Sequence, residues 1–369
     1  MFTPPSGGID CGLGHACQFC DQESVCTLDK PRHNRVLIEN RLAEIDQIII
    51  VLANKGGVGK STVSANLATG LAVCGFKVGV ADADIHGPNQ SRFFGFTGDK
   101  VKVTDQGIAT RNFVDLSIAH PVKVGSLAFL LASEDTPVVW RDAYKHDFIH
   151  HLAGSFDWGP LDFLIIDMPP GTGNELITLC DMLEGANVSA LLVTTPQAVA
   201  LMDSMKAARF CRERGLPILG VVQNMAGVVC PHCAGAFHVF PEADAEARLR
   251  EAAAGDIEML AKIPLALELA AASDEGRPVV VAAPDGIVAK AFDPAIDACV
   301  NLGRSDFDGA VARSLDDAFA ENLQAGLLDG ALAGLDPTKR AEMEAELAEL
   351  MGEEASRLHD AAVRRNENT

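Results

Sequence analysis

The stretch IDQIIIVLANKGGVGKST, residues 45–62, narrows the fold of this chain more than any other. Its first half is a continuous β-branched run, the pattern of a strand buried on both faces. Its second half sets Gly56, Gly57 and Gly59 in a short loop before a helical stretch that begins at Lys60. Glycines let a backbone fold closely around an anion with its N–H groups turned inward. The start of the helix adds the positive end of its dipole. Lys60 is placed to neutralise β- and γ-phosphates, and the Ser61 hydroxyl suits Mg²⁺. A nucleotide-phosphate loop is therefore expected from Gly56, Gly57, Val58, Gly59, Lys60, Ser61 and Thr62. The usual G-x-x-x-x-G-K-[ST] pattern has Gly where this chain has Asn54, and Lys55 adds a second lysine at the start of the loop.

Similar apolar runs follow at 77–84, 161–169, 188–196 and 216–224, with helical stretches such as KSTVSANLATGLAVCG and AVALMDSMKAARFCRERG between them. Strands alternating with helices imply a mostly parallel sheet with helices on both faces, an α/β architecture. Three divisions are expected: a Cys-rich metal-binding segment at 1–35, the nucleotide-binding domain at 36–300, and an acidic helical extension at 301–369. Acidic residues outnumber basic ones by 51 to 30, a formal charge of -21. That balance disfavours nucleic acid and anionic membrane as partners. The opening residues MFTPPSGGIDCGLGHAC have neither a charged n-region nor an apolar h-region. A cytoplasmic, reducing compartment is the expectation, in which clustered cysteines serve metals or catalysis more often than disulfides.

Carboxylates stand where the strands should end. ADADIHGPN puts Asp82 and Asp84 at the end of the second strand, on the rim where open α/β sheets bind ligands. One is suited to the Mg²⁺ water shell and the other to orienting the attacking water. IIDMPPGTGN places Asp167 at another strand end, as a carboxylate that holds Mg²⁺ through water, and lets Gly171 offer an N–H to the γ-phosphate.

These segments carry a resemblance. KGGVGKS is similar to the deviant Walker A motif shared by the septum-site protein MinD, the ParA partition proteins, the nitrogenase iron protein and the Mrp/ApbC-type iron–sulfur carriers. DADIHGP and DMPPGTGN resemble the switch segments of the Mrp/ApbC branch, with His86 for an aromatic and Asn174 for an Asp. TTPQAVALMDSMKAARF, QNMAG and IPLALELAAASDEGRPVV continue the likeness in order, over roughly 45–300. The resemblance implies a P-loop ATPase that works as a homodimer, with Lys55 reaching the partner's nucleotide and Asn224 contacting adenine. It implies that Lys55, Lys60 and Asp84 carry hydrolysis of ATP, and that Ser61, Asp82 and Asp167 manage Mg²⁺.

The ten cysteines are unevenly placed. VVCPHCAG holds Cys230 and Cys233 where the Mrp/ApbC branch has its CxxC. A tetrathiolate site needs four ligands, and a twofold dimer presents each pair twice. The implied arrangement is one iron–sulfur cluster, of the [4Fe-4S] type, bridging two subunits; zinc and a redox dithiol are the alternatives. The N-terminal group Cys11, Cys17, Cys20 and Cys26 suggests a second metal centre, either iron–sulfur or zinc. The last three resemble the N-terminal motif of the eukaryotic cytosolic nucleotide-binding iron–sulfur scaffolds, and His15 is a possible substitute for a thiol. Cys74, Cys180, Cys211 and Cys299 are expected to be buried small residues.

The function expected from this pattern is ATP-dependent carriage of an iron–sulfur cluster and its transfer to apo-proteins. One rival is a MinD- or ParA-type positioning ATPase, which leaves the clustered cysteines without a use and lacks a basic amphipathic membrane helix. The other is an ATP-driven electron donor like the nitrogenase iron protein, whose cysteines lie singly in their segments rather than as CxxC.

Overall fold

Ile48, Ile49, Ile50 and Val51 of β1 (Ile45–Leu52) have no solvent exposure, as a strand in the middle of a parallel sheet requires. The computed structural model describes residues 11–21, 23–85, 87–131, 142–229, 235–240, 248–249, 251 and 257–304. The extension expected at 301–369 falls outside these residues from 305 onward, and so do Cys230, Cys233 and His86.

The remaining expected strands form as β2 (Val78–Asp82), β7 (Leu161–Asp167), β8 (Val188–Thr194) and β9 (Ile218–Val229). A small hairpin, β3 (Val103–Thr104) with β4 (Gly107–Ile108), stands apart. The described sheet is completed by β5 (Arg111–Phe113), β6 (Val122–Ser126), β10 (Ala236–Phe237) and β11 (Met259–Leu265). Its order is β10-β9-β8-β1-β7-β2-β6-β5, with β11 also against β9. Among these pairings only β5 with β6 and β10 with β9 are antiparallel. A parallel sheet needs cover on both faces, and two apolar clusters provide it. On one face lie α2 (Lys60–Val73) and the helix Asp293–Arg304. Gly70 brings them together, since a Cβ there would run into Ile296. On the other lie α4 (Asp142–Gly154), α5 (Asn174–Met182) and α6 (Ala198–Arg214).

β6 and β11 were not expected, and each has a polar or breaking residue that hides it. Lys123 of β6 sends its ammonium to the Trp158 carbonyl at 2.6 Å, and Gly125 leaves room for the Trp158 ring. Burial lowers the Lys123 pKa from its ordinary value. β11 contains Pro264, which a strand beside a single partner tolerates.

Register fixes what matters for chemistry. Val51 lies opposite Asp167, and Asp167 lies opposite Asp82. Because the three strands are parallel, both carboxylates and the loop after β1 reach one rim at the same level.

The cysteine segment packs on this domain. Gly14 N–H donates to the Asp105 carbonyl at 2.6 Å, Ala16 N–H donates to Ser155 Oγ at 3.1 Å, and Phe19 meets His151 edge-on. Arg41 reaches the carbonyl of Gln106 and pairs with Asp157. Arg41 belongs to α1 (Lys30–Leu42), which runs across the boundary expected at 35/36. Asp29 caps that helix by accepting from Arg32 N–H, and Pro31 suits its first turn. Of the four scattered cysteines, Cys211 and Cys299 are buried and Cys180 is half-buried. Cys74 is exposed, against expectation, because it is the C-cap of α2, where the helix runs out beyond the core.

Candidate functional site

The loop between β1 and α2 has the conformation its glycines allow. Gly57 and Gly59 take φ of +78° and +84°, a region that strains side chains. Gly59 is the N-cap of α2. A Cβ added to Gly56 or Gly57 would meet nothing, so that wall of the loop is open to a ligand. Lys60 and Val58 are buried, and Ser61 and Thr62 are half-buried in the first turn of α2.

Behind the loop lies a closed polar network. Lys60 Nζ sits 2.9 Å from Asp167 Oδ1, with both side chains buried. Ser64 Oγ also donates to Asp167 Oδ1, at 3.1 Å. The backbone N–H of Asp84 and the hydroxyl of Ser126 donate to Asp82, at 3.3 and 3.0 Å. Burial, and secondly the charge of Asp167, raise the Asp82 carboxyl to about 8. Lys60 pairs with Asp167, and Asp82 beside it is held toward its neutral form by burial and by that neighbouring charge. A divalent cation bound with nucleotide phosphates would favour both as carboxylates. Ser61, Asp82 and Asp167 are the side chains that would hold Mg²⁺ here.

Gln90 is a member of this network that sequence reasoning missed. It opens the one-turn helix α3 (Gln90–Phe93), and its N–H donates to Asp82 Oδ2 at 3.0 Å. Its Nε2 donates to Asp167 Oδ2 at 2.9 Å and to the Ser61 carbonyl at 3.1 Å. Its Oε1 is buried with no hydrogen-bond partner among the described residues. Gln90 thus ties three separate segments together, and no local pattern announces this; its only signal is closeness in sequence to Asp82.

Four other expected site residues are engaged within the chain. Lys55 Nζ donates to Gln197 Oε1 at 3.2 Å. Gly171, at φ +107°, donates its N–H to the Ala53 carbonyl at 3.0 Å, so that donor reaches a phosphate only if this bond opens. Asp84 Oδ1 accepts from Gly87 N–H at 3.3 Å. Asn224, expected at an adenine ring, is turned to the phosphate loop. Its Nδ2 donates to the Val58 carbonyl at 2.9 Å, and a Cβ on Gly59 would run into the same amide. Its Oδ1 accepts from Met225 N–H at 2.9 Å. Met225 has φ +55°, alone among the described non-glycine residues in being positive. β9 therefore grips the loop at Asn224 and ends at Val229, one residue before Cys230.

The N-terminal thiols come together. Cys11, Cys17, Cys20 and Cys26 line one cavity of about 20 Å³ with His15, Glu23 and His33. Burial first, then the neighbouring thiols Cys26, Cys11 and Cys20, push the Cys17 thiol up to about 11. A metal that takes thiolates relieves that repulsion, and four thiols are the donor set of a tetrathiolate centre. The space is that of about one water molecule, and no three potential ligands among the described residues already stand in metal-binding geometry. A cluster of several irons would need this space to widen; the segment's own regular structure is confined to the short turns Cys17–Phe19 and Glu23–Val25.

Comparison with known proteins agrees with this geometry. Residues 44–300 match the family described as ParA, NUBPL iron-transfer P-loop NTPase. An iron-sulfur cluster carrier protein of Pseudomonas fragi is 40% identical over 72% of this chain and 88% of its own length. One from Aquifex aeolicus is 42% identical over 67% of this chain, which spans 65% of that relative's length. A cytosolic Fe-S cluster assembly factor NUBP1 homolog of Caenorhabditis briggsae is 37% identical over 78% and 92%. Among solved structures, a nucleotide-binding protein from Archaeoglobus fulgidus in complex with ADP has a TM-score of 0.57 at 36% identity. That match covers 66% of this chain and 92% of the other. The cell division ATPase MinD of Pyrococcus furiosus has a TM-score of 0.51 at 28% identity, covering 70% and 99%.

Proposed function

The chain belongs to the NUBPL iron-transfer P-loop NTPase family, and from that premise we propose that it carries an iron–sulfur cluster between two subunits and releases it to apo-proteins under control of ATP. It is an ATPase. Lys60 binds the β- and γ-phosphates, Asp84 orients the attacking water, and Lys55 leaves Gln197 to reach the nucleotide of a partner subunit. Mg²⁺, when bound with ATP, neutralises phosphate oxygens as charge moves to the leaving group. Gly171 exchanges its bond to Ala53 for one to the γ-phosphate, which lets the segment after β7 sense whether that phosphate is present. Two thiols per chain, Cys230 and Cys233, make half of a tetrathiolate site, and twofold symmetry supplies the rest. The N-terminal thiols hold a second, resident iron–sulfur cluster. The compartment is cytoplasmic, and neither nucleic acid nor membrane is a partner. Among the described residues no helix is long and apolar enough to cross a membrane.

The observation that carries this reading is the path of β9. Asn224 bonds the phosphate loop, and the same strand runs out at the residue before Cys230. Movement of the loop on nucleotide binding has a direct mechanical route to the thiol pair.

The test is stoichiometric. In anaerobically reconstituted protein, Cys230→Ser/Cys233→Ser should lose one cluster per dimer, keep the N-terminal one, still bind ATP, and fail to activate an apo-ferredoxin. A loss of one cluster per monomer, or undiminished transfer, would sink the bridging arrangement.

A further inference from the structure

His33 belongs to the thiol cavity although nothing in the cysteine spacing points to it. It lies in the first turns of α1, only 2% exposed, held in place by a helix whose start is fixed by Asp29 and Pro31. Its Nε2 is 3.3 Å from Cys11 Sγ, and its Nδ1 is 3.6 Å from Cys17 Sγ. One ring therefore spans the two thiols that begin the group. Asn34, the next residue, accepts from Cys17 N–H at 3.1 Å and donates to Gln18 at 3.2 Å, so the backbone around Cys17 is anchored to the same helix.

Resting on the reading of these thiols as a resident iron–sulfur site, we propose that His33 is a positioning residue of that site. It holds Cys11 beside Cys17 as the fourth ligand and donates a ring N–H to a ligand sulfur. A neutral imidazole has one N–H, so one of its two nitrogens serves as the donor to thiolate and the other faces the second sulfur. Hydrogen bonds to ligand sulfurs raise the reduction potential of a cluster and slow its loss. The helix gives the ring little freedom, which suits it to hold in place a loop that has no regular structure of its own. The role assigned here is second to ligation: sulfur from Cys11, not nitrogen from His33, completes the set.

The experiment uses the full chain carrying Cys230→Ser/Cys233→Ser, reconstituted without oxygen, so that the N-terminal site is read alone. Adding Cys17→Ser/Cys20→Ser should remove its iron and its absorbance. If the iron stays, the site itself has been misplaced, whatever His33 does. Adding Cys11→Ser should also destabilise the cluster. Adding His33→Ala should leave four irons at reconstitution, shift reduction to a more negative potential, and release iron to a chelator roughly 10–100 times more readily. His33→Gln, which keeps a donor of similar reach, should recover part of both changes. A potential and release rate unchanged in His33→Ala would overturn the proposal. A readout that needs no His33 variant is the hyperfine coupling of ¹⁵N-histidine in the reduced parent carrying His15→Gln. A weak coupling is expected; the strong coupling of a directly bonded nitrogen, or none at all, would equally overturn it.

Discussion

The nucleotide rim and the thiol cavity are built on opposite principles. At the rim, strand register places Asp82 and Asp167 side by side, and Lys60, Ser64, Ser126 and Gln90 satisfy them before any ligand arrives. In the cavity, four thiols line a space of about 20 Å³ on a segment with only short turns of its own, steadied by one helix. A sheet can pre-organise charge here because β2 and β7, which carry the two carboxyls, are each fixed by two neighbours. A loop can only collect ligands and let the metal supply the cross-link, since binding energy there is also folding energy. The rim is thus suited to repeated exchange of nucleotide without loss of structure, and the cavity to a group that stays.

The sharpest way to break this contrast is Lys60→Ala. It should abolish nucleotide binding and also lower the stability of the nucleotide-free protein by about 3–5 kcal/mol, because Asp167 is left buried beside Asp82 without its cation. Fluorescent-nucleotide titration and denaturant unfolding report the two effects separately. Normal unfolding with lost binding would mean that the rim is not held together by this pair.

Deleting residues 1–28 should have a smaller effect. The segment contributes the Gly14–Asp105 and Ala16–Ser155 hydrogen bonds and the Phe19–His151 contact. Each is worth about 1 kcal/mol, so a loss of roughly 2–3 kcal/mol is expected with the sheet still folded. Nucleotide affinity should stay within about twofold of the parent's, since none of these contacts touches the loop. Insoluble protein after deletion would place the segment among the elements the sheet depends on, and the two regions would no longer be separable.

Asn224→Ala sharpens the comparison most finely. If the amide braces the loop, its removal leaves the Val58 carbonyl unpaired and lowers nucleotide-free stability by about 1–2 kcal/mol. Affinity for ATP and GTP should then fall together. A variant with unchanged stability that no longer prefers ATP would instead put Asn224 at the base, as its sequence context implies.

Much of the rim was legible because each part is local. Three glycines, Lys60 and Ser61 sit in nine consecutive residues, and Asp82 and Asp167 close apolar runs whose burial needs no partner to be inferred. β6 and β11 were hidden because Lys123 and Pro264 break the apolar pattern. Their burial depends on a distant Trp158 carbonyl and on pairing with β9 alone. The scattered cysteines divided in the same way: Cys211 and Cys299 follow their apolar neighbours inward, and Cys74 is exposed because α2 ends there.

By itself, the sequence determined the α/β class, the phosphate loop, and which carboxylates stand at strand ends. Periodicity and glycine placement are properties of a few adjacent residues and act before the chain has folded. Only the tertiary structure decided that Gln90 would join Asp82 to Asp167, that Asn224 would face Val58, and that His33 would stand between Cys11 and Cys17. Those contacts link residues 8 to 166 positions apart. Such pairings are selected by the packing of whole strands and helices, and nothing in the immediate neighbourhood of either partner encodes them.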